Sequence, residues 1–260
     1  MTKPHILILD IETAPIEAYT WGIWDQNIGL EMIKTDWTIL SYAAKWLGKP
    51  AVIYRDTSGG GREAVRSDSV LLSSLWKLLD QADIVITQNG KKFDIRKINA
   101  RFIGAGLGPY SPIRVIDTLV VARKHFGFTS NKLAWVSKIL TDAPKSDHKE
   151  FPGFELWKEC LADNPKAWRV MKKYNKRDVI STEKYYLRLR PWISSHPNLG
   201  AYFDGSEHSC PACGSANTQK RGLSLTQQGR YQRYQCGECG SWSRGKQKLL
   251  LETRRKALLA

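Results

Sequence analysis

The sequence predicts an α/β domain built on a mixed sheet, followed by a small C-terminal β unit that carries cysteines. Apolar runs typical of buried strands come first and then alternate with helical patterns, as in α/β sheets. A segment rich in Pro, Ser, Asn and Gly then precedes two Cys-x-x-Cys pairs. These observations divide the chain into a main domain over 1–190, a linker over 191–207, a cysteine unit over 208–245 and a basic tail over 246–260.

The elements of the main domain follow from apolar spacing and from capping residues. Strands are predicted over 5–9, 37–48, 50–56, 82–89 and 114–119. Helices are predicted over 67–80, 92–105, 131–140, 154–162 and 165 to about 189. Ser67 or Asp68 is expected to cap the first helix, and Asn164 the last, where Pro165 suits the first helical position. Residues 13–36 are expected to be irregular.

The composition is that of a globular protein with a basic surface. Of the 260 residues, 42% are hydrophobic and 25% are charged, and no apolar run is long enough to cross a bilayer. The 40 Lys and Arg residues outnumber the 25 Asp and Glu residues, and the net charge of +15 favours a polyanionic partner such as nucleic acid. There is no signal-peptide pattern, and paired cysteines suit a reduced compartment, so we expect a cytoplasmic protein with no membrane partner.

Four carboxylates in the main domain occupy positions from which they can reach one point. Asp10 and Glu12 lie two residues apart in ILILDIET, at the end of the first strand, and so face the same side. Asp94 follows a buried strand, in NGKKFD, and Asp178 lies four residues after Tyr174 on one helix face, in YNKRD. Four converging acids require cations between them, and two divalent ions about 4 Å apart are the machinery for cutting phosphodiesters.

These three motifs, in this order along residues 5–190, resemble the DEDD superfamily of 3′–5′ exonucleases in its tyrosine-bearing branch. The chain is most similar in pattern to stand-alone exonucleases related to the proofreading domain of family B DNA polymerases. The resemblance implies a ribonuclease H-like fold, a mixed sheet flanked by helices. It also implies two Mg²⁺ or Mn²⁺ ions bound by Asp10, Glu12, Asp94 and Asp178, and hard oxygen ligands favour these ions over zinc.

The resemblance also implies a reaction, the hydrolysis of the terminal phosphodiester at a free 3′ end of DNA, with single-stranded ends as the expected substrate. A metal-bound water would attack, and Tyr174 would orient or deprotonate it. Asn89 is expected to help position the site or the substrate. Gln88 stands where many relatives have histidine, which affects local substrate contacts but not the acids. Any proofreading role is expected to serve a replication or repair polymerase in trans.

Three tryptophans follow the first acidic motif, namely Trp21, Trp24 and Trp37. Aromatic side chains in a basic groove commonly stack on the bases of single-stranded nucleic acid. Trp24 is therefore a candidate substrate contact within the irregular segment. The alternative for each of the three is that it fills the core.

Four of the five cysteines predict a metal site. Cys210 and Cys213 form one pair, Cys236 and Cys239 form the other, and a glycine that permits a tight turn follows each pair. Four thiolates at tetrahedral positions make a closed structural zinc site, and the 22 residues between the pairs suffice for a β-hairpin. The unit resembles the zinc ribbons of transposases and transcription factors. A pair of redox dithiols is the alternative.

Arginine and tyrosine alternate in the segment before the second cysteine pair. Arg230, Tyr231, Arg233 and Tyr234 suit contact with phosphates and stacking on bases, so we expect the ribbon to aid nucleic-acid binding. The alternative is that the ribbon mediates protein contacts or only stabilises the fold.

Three other functions remain open for the whole chain. RNA could be the substrate, because discrimination between the sugars depends on contacts to the 2′-OH and not on the acids. A structure-selective endonuclease could use the same fold. A non-catalytic adaptor that binds nucleic acid is the third alternative, and the complete acid set with Tyr174 argues against it.

Overall fold

The computed structural model describes residues 3–203, 208–227 and 229–250. The chain divides into two compact units, one of His5–Tyr186 and one that contains the residues from Leu187 onward. The first unit holds a mixed sheet flanked by helices, and the second holds a small antiparallel sheet. The predicted α/β class is therefore confirmed, and its small C-terminal sheet with clustered cysteines fits a zinc ribbon.

Five strands form the central sheet of the first unit. They are β1 (Ile6–Thr13), β4 (Ile39–Trp46), β5 (Ile53–Asp56), β6 (Ile84–Thr87) and β7 (Arg114–Asp117). Their spatial order is β5-β4-β1-β6-β7. β4 is antiparallel to both β1 and β5, whereas β6 is parallel to both β1 and β7. β1 is thus the central strand, and it continues beyond the predicted end at residue 9, so that Asp10 and Glu12 lie inside it.

Alternation along β1 separates an apolar face from an acidic one. Leu7, Leu9 and Ile11 are buried in a cluster that includes residues of helices α2 (Ser69–Asp80) and α3 (Asp94–Gly104). Because successive side chains of a strand point to opposite faces, Asp10 and Glu12 face the other side. The core on one side of the sheet therefore fixes the direction in which the two acids point.

A second helical layer comes from the C-terminal part of this unit. Helices α6 (Glu155–Leu161) and α7 (Pro165–Leu189) pack with Leu40 of β4 in another buried cluster. The prediction for the start of α7 is confirmed, because Asn164 accepts the N–H of Lys166 at 2.9 Å and Pro165 is the first helical residue. Cys160 is fully buried in this cluster.

The remaining elements of the unit are short. They are β2 (Glu17–Ala18), β3 (Ile33–Thr35), α1 (Gly61–Ala64), α4 (Thr118–His125) and α5 (Leu133–Leu140). The segment 13–36, expected to be irregular, contains the two-stranded β2–β3 sheet and one 3₁₀ turn. Asp68 precedes α2 but does not cap it with its side chain, because its carboxylate accepts hydrogen bonds from Arg101 at 2.6 and 2.8 Å.

The second unit contains a three-stranded antiparallel sheet. Its strands are β8 (Thr218–Thr226), β9 (Gly229–Cys236) and β10 (Trp242–Lys248), with β9 in the centre. The β8–β9 pair is a hairpin between the two cysteine pairs, as the spacing predicts. β10 continues past residue 245, where the basic tail was predicted to begin. Residues 251–260 of that tail and 204–207 of the predicted linker lie outside the described residues.

None of the helices in the described ranges combines the length and the apolar character that crossing a membrane requires.

One buried ion pair joins the central sheet to α7. The Lys45 ammonium lies 2.5 Å from the Glu183 carboxylate, and the residues are 8% and 7% exposed. We predict that Lys45→Met or Glu183→Leu alone lowers the free energy of unfolding by about 3–5 kcal/mol, because each leaves an unpaired buried charge. The double substitution should lose less than either single one. Urea unfolding measures all three, and a double variant less stable than both single variants would contradict the prediction.

Candidate functional site

Three carboxylates meet on the acidic face of β1. Asp10 and Glu12 come from β1 and Asp178 comes from α7, and one oxygen from each lies within 4.8 Å of the others. Asp178 is only 2% exposed. The two-residue spacing on a strand and the packing of α7 against the sheet bring the three together.

Asp94 lies beside this group and not within it. It is the first residue of α3, is 4% exposed, and accepts the backbone N–H of Ile11 at 3.1 Å. Ile11 stands between Asp10 and Glu12 on β1, so this hydrogen bond ties Asp94 to the strand that carries them. The charge of Asp94 raises the pKa of both neighbours, although burial contributes more to each shift.

The acids disfavour one another's ionisation. Burial, followed by the charges of Glu12, Asp178 and Asp94, raises the pKa of Asp10 well above its ordinary value. Burial and then the charge of Asp178 raise the pKa of Glu12 to about 8. Burial raises the pKa of Asp94 to about 7 and also raises that of Asp178. Such a group is most stable when cations neutralise it.

A lysine that the sequence did not single out supplies one cation. Lys145, from the loop between α5 and α6, forms an ion pair with Asp178, and its Nζ lies 4.4 Å from the centre of the Tyr174 ring. Burial alone would lower the pKa of Lys145, but Asp178 and Tyr174 raise it above its ordinary value. Lys145 is therefore charged at neutral pH. No spacing pattern relates this loop residue to the acidic motifs.

Tyr174 is held in an aromatic cluster next to the acids. The rings of His148 and Trp157 meet it edge-on, with centroids 5.0 and 6.0 Å away. Burial, opposed by Lys145, raises the pKa of Tyr174 to about 12, so the phenol is protonated at neutral pH. The hydroxyl can therefore donate a hydrogen bond to a ligand in the acid site.

Asn175 holds the first acid in place. Its side-chain amide donates to the Asp10 carboxylate at 2.5 Å and accepts the hydroxyl of Ser41 at 3.2 Å. Asn175 is fully buried. Sequence reasoning missed this residue, although it lies three positions before Asp178, and that spacing places both on one face of a helix.

The turn from β6 to α3 carries Asn89 towards Asp94. Asn89 has φ +68°, a left-handed conformation that asparagine tolerates better than most residues. The carboxylate of Asp117 accepts the backbone N–H of Asn89 at 2.9 Å and of Lys91 at 3.1 Å. Gly90 is required here, because a Cβ would lie 2.4 Å from Thr87. The Asp117 carboxylate and the close packing at Gly90 thus fix the turn that leads to Asp94.

The acid group suits a divalent cation. All of its ligand atoms are hard carboxylate oxygens, which Mg²⁺ and Mn²⁺ prefer. Oδ1 of Asp178 is buried without a hydrogen-bond partner among the described residues, so one acceptor of this ligand set is unused.

The four paired cysteines form a second candidate metal site. Their sulfurs all lie within 4.8 Å of one another, and the pairs Cys210–Cys239 and Cys213–Cys236 are each 3.7 Å apart. A tetrahedral Zn²⁺ with Zn–S bonds of about 2.3 Å sets its sulfurs about 3.8 Å apart. Gly214 and Gly240, which follow the pairs, have φ of +78° and +77°, as the predicted tight turns require.

The β9 residues predicted to contact substrate fall on two faces of the sheet. Successive side chains alternate, so Tyr231 and Arg233 share one face and Arg230 and Tyr234 share the other. Both tyrosines are largely buried, at 8% and 7% exposure, whereas both arginines are exposed.

The three tryptophans after the first motif differ in environment. Trp21 and Trp24 are 98% and 82% exposed. Trp37 is partly buried and packs against the main core. The Lys97 ammonium lies 3.5 Å from the centre of its ring. Core packing thus accounts for Trp37 and leaves Trp24 available as a ligand contact.

The comparisons with known proteins agree with this fold. A model of the RNase H superfamily matches residues 60–190, which is 131 of the 260 residues, and the chain belongs to this superfamily. No curated protein matches the chain significantly.

One solved structure is similar over a larger share of the chain than the superfamily model. The family B DNA polymerase from the hyperthermophilic archaeon Pyrobaculum calidifontis is similar over 74% of this chain, with a TM-score of 0.51 and 15% identity. The match covers 25% of the polymerase, so this chain spans about a quarter of its length. At this identity the likeness concerns the fold alone. The superfamily and the fold together suggest a nuclease.

The burial of the acids and their mutual repulsion predict that stability depends on pH. A carboxyl whose pKa is raised in the folded state stabilises the fold at low pH, and this contribution is lost as pH rises through the folded pKa. In buffer free of Mg²⁺ and Mn²⁺, we therefore expect melting temperature to fall between about pH 4.5 and about pH 8, the range set by Glu12. Glu12→Gln should reduce this decline. Melting curves across pH test it, and parallel profiles for the two proteins would contradict it.

Proposed function

We propose that the protein is a metal-dependent 3′–5′ exonuclease that hydrolyses the terminal phosphodiester of DNA, with single-stranded ends as its main substrate. The observation that supports this most directly is the meeting of Asp10, Glu12 and Asp178, with Asp94 and Tyr174 beside them, on a ribonuclease H-like sheet. The order and spacing of the motifs that supply these residues support the 3′–5′ polarity by resemblance.

In this proposal the four acids bind two Mg²⁺ or Mn²⁺ ions. Held by these residues, such ions would supply activation of a water for attack on phosphorus and stabilisation of the leaving 3′ oxygen. The four cysteines bind one structural Zn²⁺, which the 3.7 Å sulfur separations support.

The chain's own residues position the reactants around these ions. Tyr174, protonated at neutral pH, would donate a hydrogen bond that orients the attacking water, and this favours orientation over proton removal. Asn175 keeps the Asp10 carboxylate facing the site. Lys145 places a positive charge beside the acids, where negative charge grows on the phosphate during the reaction.

The choice of DNA over RNA rests on the resemblance to the proofreading exonucleases of family B DNA polymerases. Asn89 is proposed to position the terminal nucleotide, since it lies in the rigid turn that leads to Asp94. An RNA exonuclease or a structure-selective endonuclease would use the same acids. Any proofreading would serve a replication or repair polymerase.

The acid substitutions test the catalytic assignment. Asp10→Ala and Asp178→Ala should each reduce Mg²⁺-dependent cleavage by about 10³-fold or more, because several kcal/mol of charge stabilisation are lost. Tyr174→Phe should slow cleavage by about 10²-fold, since the acids remain. Asp36→Ala, which removes an exposed acid, serves as the control and should leave the rate unchanged.

The assay uses 5′-labelled single-stranded DNA and matched RNA with Mg²⁺, with Mn²⁺ or with EDTA. A metal-dependent ladder that shortens from the 3′ end is the expected product, and the faster substrate identifies the sugar preference. A single internal cut would point to an endonuclease. Full activity of Asp10→Ala, or binding without cleavage by the native chain, would overturn the proposal.

Trp24 is proposed as a stacking contact for the substrate. Because its side chain is 82% exposed, Trp24→Ala should weaken binding of single-stranded DNA by roughly 5-fold or more while melting temperature stays unchanged. Trp37→Ala should instead lower the melting temperature, since Trp37 packs on the core. Fluorescence anisotropy and melting curves separate the two effects. Equal loss of affinity and stability in Trp24→Ala would refute the stacking role.

A further inference from the structure

We propose that one face of the C-terminal sheet is a binding surface for single-stranded nucleic acid, and that the opposite face is not. This arginine-aromatic face consists of Arg221, Tyr231, Arg233, Trp242, Arg244 and Lys248. The inference rests on the proposed function and deepens it. It also assigns roles to Trp242 and Arg244, which the sequence analysis did not single out.

The strand register places these residues on one side. Tyr231 and Arg233 share a face of the central strand β9. Arg244 of β10 pairs directly with Arg233, Lys248 pairs with Tyr231, and Trp242 lies two residues before Arg244. On the other edge, the carbonyl of Arg221 accepts the Nε–H of Arg233 at 2.8 Å. Cations of β9 and β10 therefore lie next to one another, and the Arg233 side chain reaches the backbone of β8.

Arginine and aromatic side chains are stacked in alternation on this face. The Arg233 guanidinium lies 4.8 Å from the centre of the Trp242 ring, and the Arg244 guanidinium lies 4.3 Å from that of Tyr231. Stacking restricts each guanidinium to a plane and leaves N–H groups at its edge to donate to phosphate. Trp242 is 49% exposed, so part of its ring can stack on a base.

Within the described part of this unit, residues 208–227 and 229–250, the charge of the face is almost unopposed by acids. In residues 208–250 the sequence contains seven Lys and Arg residues and one acid, Glu238, which lies in the second cysteine turn. Among the described residues, no salt bridge involves a cation of this sheet. Cations that remain unpaired and next to one another are a suitable surface for a polyanion.

The opposite face differs in its aromatic content. Tyr234 is 7% exposed and its ring packs 4.7 Å from that of His208, so it fills a local core instead of offering a stacking surface. Lys220 pairs with Tyr234, and Arg230 follows on the same side of β9. This face therefore has exposed cations but no exposed tryptophan or tyrosine, and its exposed ring is the imidazole of His208. It provides a control from which the same number of charges can be removed.

A flat face with an exposed aromatic ring favours single strands over duplexes. Unpaired bases can leave their own stack to lie on an aromatic ring, and each such contact is sequence-tolerant. The bases of a duplex are already stacked, so a duplex could use only the arginines. The outcomes that compete with single-strand binding are affinity of this face for duplex DNA and affinity for a protein partner.

The test compares two double substitutions that remove the same charge from the two faces. The full chain with bound zinc, carrying Asp178→Asn to prevent cleavage, is titrated against a labelled oligothymidine in a series of NaCl concentrations, with anisotropy as the signal. Arg233→Ala/Arg244→Ala should weaken binding by about tenfold or more and reduce the slope of log Kd against log salt by about 1.4, or 0.7 per lost phosphate contact. Lys220→Ala/Arg230→Ala should change Kd by no more than about twofold.

Trp242→Ala tests the stacking contribution. It should weaken binding by roughly 5-fold to 150-fold with little change in the salt slope, and Trp242→Phe should restore much of the affinity. Zinc content and circular dichroism confirm that each variant is folded. If the double alanine variant loses zinc, Arg233→Lys/Arg244→Lys is measured in its place. This variant keeps the charge of the face, and it should keep the salt slope.

Each outcome decides the inference. Equal losses in the two double variants, or no loss in Trp242→Ala, would overturn the choice of face. Equal dependence of duplex and single-strand binding on all variants would overturn the preference for single strands. Cleavage by the native chain is measured separately. A native chain that does not cleave but binds through this face would refute only the proposed function. A native chain that cleaves but whose binding does not depend on this face would refute only this inference.

Discussion

The proximity of like charges at one point is the constraint on which the rest of the first unit depends. Three carboxylates with oxygens within 4.8 Å of one another repel each other strongly in a buried site. The fold holds them by placing them on its most central strand and its longest helix, each anchored by a buried apolar cluster. The hydrogen bond from Asn175 to Asp10 and the charge of Lys145 offset part of the repulsion, and the N–H of Ile11 stabilises the neighbouring Asp94.

The charge distribution of the chain has two opposite local consequences for a polyanion. The net charge of +15 attracts phosphates to the surface, whereas the acid group repels them from the one place where Tyr174 could act. Cations in the acid group reverse that local repulsion. Under the proposed function, the electrostatics would therefore couple binding of divalent ions to correct placement of a phosphate, while attachment elsewhere on the surface would not depend on those ions.

The sequence predicted those parts of the structure whose residues follow a local pattern. The pairs Asp10–Glu12 and Tyr174–Asp178 face the same way because of strand and helix periodicity, and the cysteine turns follow from their glycines. Lys145 was missed because a loop residue reaches the site through tertiary packing alone. The two faces of β9 could have been separated by alternation, but their different roles depend on Trp242 and Arg244 of another strand.

The position of three site residues within two turns of α7 limits how the site can change. Tyr174, Asn175 and Asp178 move as one rigid body, so their mutual geometry cannot be adjusted piecemeal. Insertion of a single residue earlier in the helix would rotate all three by about 100° away from β1. Variation among descendants of this chain is therefore expected in the loop that carries Lys145 and in the segment after β1, where a length change leaves the helix register intact. A redesign of the specificity of this protein should begin in the same two segments.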